Sequence, residues 1–434
     1  MGGALALAAW PPRRILAATD NPDVVVIGAG SAGLAAARSL IDAGKTVVVV
    51  EAADRVGGRA WTENETFGLP FDHGCSWITS ANLNPYTPLA EAWGYDLFNH
   101  NSEEEVLYVG DRPANDKEWG EYDASWSAVT RALSKAGTEG IDVAASSVMP
   151  DDIPFQAVSE TWIGPMDMGV DFKNLSTKDY WRGADSDPNL MIKQGFGTLV
   201  TQLGEGLPVK LNTPATRVKW GGNGVSVETP DGTITAKACI VTVSTGVLAA
   251  GNIAFDPPLP DWKQTAINDV PMGLLAKVAL QFDSTRLGLK PNDWLIYWVP
   301  NDLPAKACYF LTWPFNFDVM IGFLGGDFAW EMSAAGPAAA VDFGLGEVVK
   351  MLGSDAKKHF IKGTFTEWAN DPLTLGAYAA TRPGKATART DLGRPIDDRL
   401  FFAGEAVAGP FAATCGGAFK SGEAVARRVA AKIG

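Results

Sequence analysis

Three glycines in the run Gly28-Ala-Gly30-Ser31-Ala-Gly33, with a carboxylate further on at Glu51, could hold a diphosphate and a ribose. Gly28 and Gly30 permit a tight turn and close approach of backbone to phosphate, and Gly33 lets a helix lie close on a strand. Glu51 follows Gly33 by 18 residues, where a carboxylate can hold both hydroxyls of an adenosine ribose. Beyond it runs Ala52-Ala-Asp-Arg55-Val-Gly57-Gly58-Arg59. Its glycines and Arg59 suit a loop crossing a pyrophosphate, the guanidinium supplying charge and forked donors. The two patterns together point to FAD rather than NAD. Two more groups stand out: Lys277 within the apolar run Leu275–Phe282, and Gly404-Glu405 directly after Leu400–Ala403.

The elements that must carry these residues follow from the hydrophobic pattern. Val24–Ile27 is continuously apolar, as in a parallel strand buried on both faces. A helix follows through Leu34, Ala35, Ala36, Leu40 and Ile41 to Gly44, then a second strand at 47–50, completing one βαβ unit. Ala238–Val243 reads as another buried parallel strand, so the chain returns to the first sheet. A strand after a turn is expected at 71–78 and a helix at 84–93. Residues 101–190 read as an insertion with helices near 125–136 and 154–166. Strands at 275–282, 294–299, 308–313 and 319–324 suggest an antiparallel sheet, with a helix at 338–352 and one more strand at 365–368. The end of the chain, from Gly416 on, reads as an amphipathic helix whose N-terminus can face a polar cofactor group.

Composition narrows the class. The chain has 434 residues, is 46% hydrophobic and 20% charged, and carries a net charge of -14. That balance argues against a nucleic-acid partner, which needs a basic face, and favours a cationic one. Four cysteines (Cys75, Cys239, Cys308, Cys415) form no CxxC pair, and three histidines (His73, His100, His359) lack ligand spacing, so no metal site is expected. No stretch is apolar for long enough to span a membrane. Residues 1–20 resemble the back half of an export signal without its charged front, or a plain tail. The first reading implies a periplasmic or secreted protein, the second a cytoplasmic one.

Motifs in order then identify a family. Val24 to Arg59 resembles the amino-terminal FAD motif of flavin amine oxidases. Thr242-Val-Ser-Thr-Gly246-Val-Leu248, Phe255-Asp-Pro-Pro-Leu-Pro260 and Lys277-Val resemble the centre of polyamine oxidases and lysine-specific histone demethylases. Glu367-Trp368, Gly376-Ala-Tyr378, Arg399–Glu405, Ala413-Thr414 and Gly417-Ala418 resemble their carboxy-terminal signature.

The resemblance implies an α/β fold: a Rossmann-type FAD-binding domain in three segments (21–80, 205–258, 390–434) with an inserted α+β substrate domain (81–204, 259–389). It implies FAD contacts at Gly28, Gly30, Ser31, Gly33, Glu51, Ala52, Gly58, Arg59, Ser76, Trp77, Ala215 (through its backbone), Trp368, Gly404, Glu405 and Thr414. Lys277 matches a lysine that holds a water against the flavin; Tyr378 and Thr414 match the two positions flanking the substrate amine. There are departures. Ala53 stands where close relatives usually carry Arg, so one cofactor contact is in doubt. Ala377 stands where monoamine oxidases carry the flavin-linked Cys, so FAD is expected to be noncovalent. Thr79 replaces a polyamine-anchoring glutamate, and no carboxylate-binding Arg is visible around 74–78.

The expected activity is oxidation of a small-molecule amine. A hydride leaves the α-carbon for flavin N5, the imine hydrolyses to aldehyde and amine, and O2 or a redox protein reoxidises the flavin, O2 giving H2O2. Amino-acid oxidation or desaturation on the same fold, and a flavin scaffold or electron relay, are the alternatives. A monomer or homodimer is expected.

Overall fold

The computed structural model describes residues 21–101, 104–183, 186–301 and 305–434; the reading of residues 1–20 as a leader lies outside them. A five-stranded parallel sheet forms around β1 (Val24–Ile27). Helix α1 (Ser31–Asp42) crosses to β2 (Val47–Val50), which pairs in parallel with β1. On the other side β1 pairs with Ala238–Val241, which pairs with Leu400–Phe402; Val209–Lys210 flanks β2. Why the strands are apolar at every position is visible in their alternation. Val24 and Val26 face one core together with Leu34, Leu40 and Phe419, whereas Val25 and Ile27 face another with Val218, Val227 and Ile267.

Helix Cys415–Ile433 lies against α1. The contact is a backbone one: a Cβ at Gly422 would lie 2.1 Å from the Ala32 carbonyl oxygen. A larger residue there must drive the helices apart.

A seven-stranded sheet builds the second layer. Its longest strand is Leu275–Phe282, second from one edge, paired antiparallel with Val319–Gly325 and with Phe360–Phe365. The sheet is mixed rather than purely antiparallel, because Glu105–Val109 joins Trp294–Tyr297 in parallel. The insertion thus contributes an edge pairing that local periodicity could not show.

Other boundaries moved for local reasons. The helix expected from 125 spans Asp116–Thr138, because Asn115 and Glu118 form a reciprocal capping box. The segment expected as one helix over 154–166 is a short α-helix, Gln156–Thr161, running into a π-helix, Trp162–Met168, with Pro165 inside. The strand expected at 365–368 lies at Phe360–Phe365 instead: the Thr366 hydroxyl accepts from the Lys277 backbone N–H. An unforeseen helix, Gly326–Ala335, starts directly from its strand through Gly326 at φ 63°. Among the described residues, no helix is long and apolar enough to cross a membrane, and no cluster of three His, Cys, Asp or Glu could hold a metal.

Gly422→Ala is expected to lower stability by about 1–3 kcal/mol, the cost of overpacking a close contact. Urea unfolding should show a lower midpoint with an unchanged slope.

Candidate active site

The glycine turn, Glu51, Thr242 and Gly404-Glu405 all follow the carboxyl ends of parallel strands, the edge where open α/β sheets bind ligands. Gly28 turns at φ 101°, and a Cβ at Gly33 would lie 1.9 Å from the Gly28 carbonyl oxygen. A Cβ at Gly30, by contrast, would meet only the Gly57 oxygen, at 3.9 Å. The turn is therefore closed towards the protein and open towards the cleft. No side chain caps α1, and its first turn holds no acid. Its N-terminal donors and dipole suit a diphosphate. The Glu51 carboxylate accepts from the Ala29 N–H at 2.6 Å and the Ala53 N–H at 2.8 Å, which leaves further lone pairs for ribose hydroxyls. Ala52 lies between, in the bend after β2. Ala215 is buried two residues after Thr213, whose N–H donates to the Glu51 carbonyl. Ser31 opens α1, and its hydroxyl bonds Tyr86 at 2.8 Å and the Cys415 carbonyl at 2.9 Å. The residues present fit a dinucleotide.

Arg59 crosses from the glycine loop to the far end of the chain. Its Nη1 donates to Glu405 at 2.9 Å and to the Ala377 carbonyl at 2.6 Å. Glu405 in turn accepts from the Ala379 N–H at 3.1 Å, and the Gly404 N–H donates to Ser421. Gly58, in a left-handed turn, offers its carbonyl to Arg55. A second arginine, absent from the sequence expectation, completes the arrangement. Arg389 forms a forked pair with Asp179, 2.7 Å on each side, and donates to the Ala379 carbonyl. Two arginines, each paired with a carboxylate, therefore hold the backbone on either side of Tyr378. Only the fold brings residues 179 and 389 together, so no motif signals the pair.

Tyr378 is part-buried, and its hydroxyl donates to the Met166 carbonyl at 3.2 Å. Burial, then the nearby Asp167 and Glu405 carboxylates, push its pKa upward, so the phenol stays neutral. With the hydroxyl engaged, the ring is what Tyr378 can offer a ligand. Thr414 is also engaged: it donates to Phe411 and accepts from the Gly417 N–H at 2.9 Å, capping the last helix.

Lys277 is buried beside the segment 72–76. Its ammonium donates to the Asp72 carbonyl (2.7 Å), the Gly74 carbonyl (2.6 Å) and the Ser76 hydroxyl (2.7 Å). All three donors meet protein oxygens, so a water held by this amine needs one oxygen to yield or the amine to lose its proton. Burial pushes the lysine down to about 8, against the pull of the Asp72 and Cys75 charges. Trp368 closes this segment from above, its indole N–H donating to the His73 carbonyl at 3.0 Å.

Trp77, next to Ser76, opens an aromatic wall. Its indole N–H donates to His100, and its ring stacks on Trp294 with centroids 6.0 Å apart. Trp162 meets Trp294 edge-on at 4.9 Å, and Phe323, the cross-strand neighbour of Lys277, packs at 5.5 Å. The sequence count of Trp could not single these out. The π-helix joins the wall to Tyr378, since it carries both Trp162 and Met166. Such bulges are frequent at functional sites.

The family model for flavin containing amine oxidoreductase matches residues 31–430. The chain belongs to that family. It is 32% identical to polyamine oxidase 4 of Oryza sativa subsp. japonica, covering 93% of this chain and 88% of that protein. It is 26% identical to lysine-specific histone demethylase 2 of Homo sapiens, over 95% of this chain and 54% of that one. A solved structure of putrescine oxidase bound to putrescine superposes with a TM-score of 0.80 at 21% identity, covering 95% and 99% of the two chains. The protein is a flavin-dependent amine oxidase with the α/β architecture of that group, and FAD is its cofactor.

Two outcomes test this geometry. Arg389→Met leaves Asp179 charged and unpaired, and is expected to cost about 3–5 kcal/mol in urea unfolding. For Lys277 the sign follows from linkage. Between about pH 8 and 10.5 the folded lysine has lost the proton that the unfolded chain retains, so its contribution to stability rises with pH. The unfolding free energy of the wild type minus that of Lys277→Met should rise by up to about 3 kcal/mol from pH 7 to pH 10. A flat difference would mean an unshifted lysine.

Proposed function

We propose that the chain oxidises a primary or secondary aliphatic amine, of the polyamine kind, at the carbon next to nitrogen. The single observation behind this is the run of side chains from Lys277 through Ser76, Trp77, Trp294 and Trp162 to the Tyr378 ring. It is a wall built from aromatic rings rather than from carboxylates. The polyamine oxidases and the putrescine-bound structure among the relatives add the substrate class by analogy.

The α1 N-terminus would hold the pyrophosphate, Glu51 the ribose, and Arg59 with Gly404-Glu405 the far side of the cofactor. FAD, when bound, supplies the hydride acceptor. The protein's own part is to bind, orient and desolvate. A net charge of -14 attracts cations over distance. The aromatic wall then disfavours the ammonium by stripping water from it, so the neutral amine is the form presented for oxidation. Tyr378, clamped from both sides, orients the α-carbon. Water hydrolyses the imine, and O2 as the final acceptor gives H2O2.

An amino-acid substrate would need an arginine for its carboxylate. Arg59 and Arg389, the two arginines bonded beside Tyr378, are already paired with Glu405 and Asp179.

Anaerobic mixing with diamines, polyamines, simple monoamines and amino acids decides the matter. Bleaching of the oxidised flavin band by amines is expected. Bleaching by amino acids alone would overturn the reading. Tyr378→Ala should raise the amine concentration for half-maximal bleaching about 10-fold, the order of losing the apolar contact of one ring.

A further inference from the structure

Lys263 is a fully buried lysine that the amine chemistry leaves unused. It stands on helix Asp261–Asp269, and its ammonium donates to the carbonyls of Asp391 (3.0 Å), Leu392 (2.5 Å) and Arg394 (2.7 Å). These oxygens lie at the carboxyl end of helix Ala388–Gly393, where a helix leaves its carbonyls without i+4 partners. The same ammonium lies 4.0 Å from the ring centroid of Phe402 and 4.9 Å from that of Trp262, faces that attract a cation.

A cap alone does not call for a buried ammonium. Helices commonly end on a glycine in the left-handed region, with no charge to desolvate, whereas taking an ammonium out of water is expensive. The two groups that Lys263 joins explain it. Helix Ala388–Gly393 has six residues and no side-chain cap at its start, too short to hold its own shape in water. It carries Arg389, which pairs with Asp179 and donates to the Ala379 carbonyl at 2.8 Å and the Ala406 carbonyl at 3.0 Å. Phe402 ends the strand that leads into Gly404-Glu405, and Glu405 accepts from Arg59 and from the Ala379 N–H. The Arg389 arm and the Glu405 arm thus meet on Ala379, next to Tyr378, and both are anchored at Lys263.

We propose that Lys263 is a positioning residue for Tyr378: it sets helix Ala388–Gly393 and the end of strand Leu400–Phe402, and through them the backbone at Ala379. It acts through these elements rather than by contact with the amine. Lys263→Met keeps an apolar stem against Phe402 and removes the three donors. Arg389 then loses its register with the Ala379 carbonyl, and the Tyr378 ring stays in the wall at a changed angle. Contact with the ring survives, whereas the orientation of the α-carbon does not. The proposal deepens the amine reading and rests on it for the role of Tyr378; the hydrogen-exchange arm of its test does not.

Anaerobic mixing of FAD-loaded Lys263→Met with an amine that bleaches the wild type separates rate from binding. The bleaching rate at saturating amine should fall about 10-fold, the order of a misplacement by a fraction of an ångström. The half-maximal concentration should stay within about 2-fold of wild type. The opposite split, or wild-type values of both, would overturn the proposal. Native-state hydrogen exchange in low urea tests the wild type without any amine. The N–H groups of Ala379, Thr381 and Arg394, bonded to Glu405, Asp179 and the Asp391 carbonyl, should open together with one free energy. In Lys263→Met these three should exchange faster, while those of Val24–Ile27 keep their wild-type rates. Separate openings in the wild type, or equal acceleration throughout the variant, would make Lys263 a plain helix cap and overturn the proposal. If Lys263→Met does not fold or load FAD, the wild-type exchange decides. If no amine bleaches the wild type, the amine reading fails and exchange still decides on Lys263.

Discussion

The pairing of Arg59 with Glu405 is the contact on which the site depends. It joins the loop after β2 to the end of strand Leu400–Phe402, and the same guanidinium reaches the Ala377 carbonyl. Three stretches remote in sequence therefore share one partly buried pair. Taken from water, both charges bear a desolvation cost, which only good geometry and further hydrogen bonds offset. The carboxylate has them, since the Ala379 N–H also donates to it. The guanidinium spends its charge on a backbone carbonyl that no mobile side chain could replace. What the pair supplies is less net stability than position: it sets where Tyr378 stands relative to the glycine turn.

Lys277 solves a related problem by different means. Its ammonium is hydrogen-bonded to two carbonyls and a hydroxyl. These dipoles satisfy the donors but do not cancel the charge, which is why burial depresses the lysine. The same three bonds shape the segment 72–76, and through Ser76 they set the direction of Trp77. A buried charge on an inner strand thus orders the first side chain of the aromatic wall.

What was legible in the sequence follows the range of the interactions. The βαβ unit is local: strand, turn, helix and strand lie within 28 residues, and each is specified by its own pattern. The return of 238–241 to the same sheet was legible because a strand buried on both faces has no polar alternation. The family, the fold class and the cofactor could be reached from such motifs. The partners of the site residues could not. Nothing near Lys277 in sequence announces the carbonyls of Asp72 and Gly74, and nothing near Arg389 announces Asp179. The π-helix was misread for a different reason, since apolar residues at helical spacing do not reveal an i→i+5 bond. The bond from the Gly417 N–H to the Thr414 hydroxyl, which caps the last helix, was likewise not announced by the motif.

The global charge and the local wall act on an amine in opposite senses, and the proposed chemistry needs both. A net charge of -14 raises the concentration of ammonium ions near the surface. That attraction is screened over about 8–10 Å of physiological salt, so it delivers cations without holding them. At the wall the balance reverses. Trp77, Trp162, Trp294 and Phe323 provide polarisable faces, and Glu405 beside Tyr378 is paired with Arg59. A buried carboxylate facing the amine would raise its pKa and hold the proton in place. In the proposed reaction the rings of the wall let desolvation dominate, so the neutral amine is the form that meets the cofactor. Long-range attraction and short-range neutrality are thus divided between the surface and the wall.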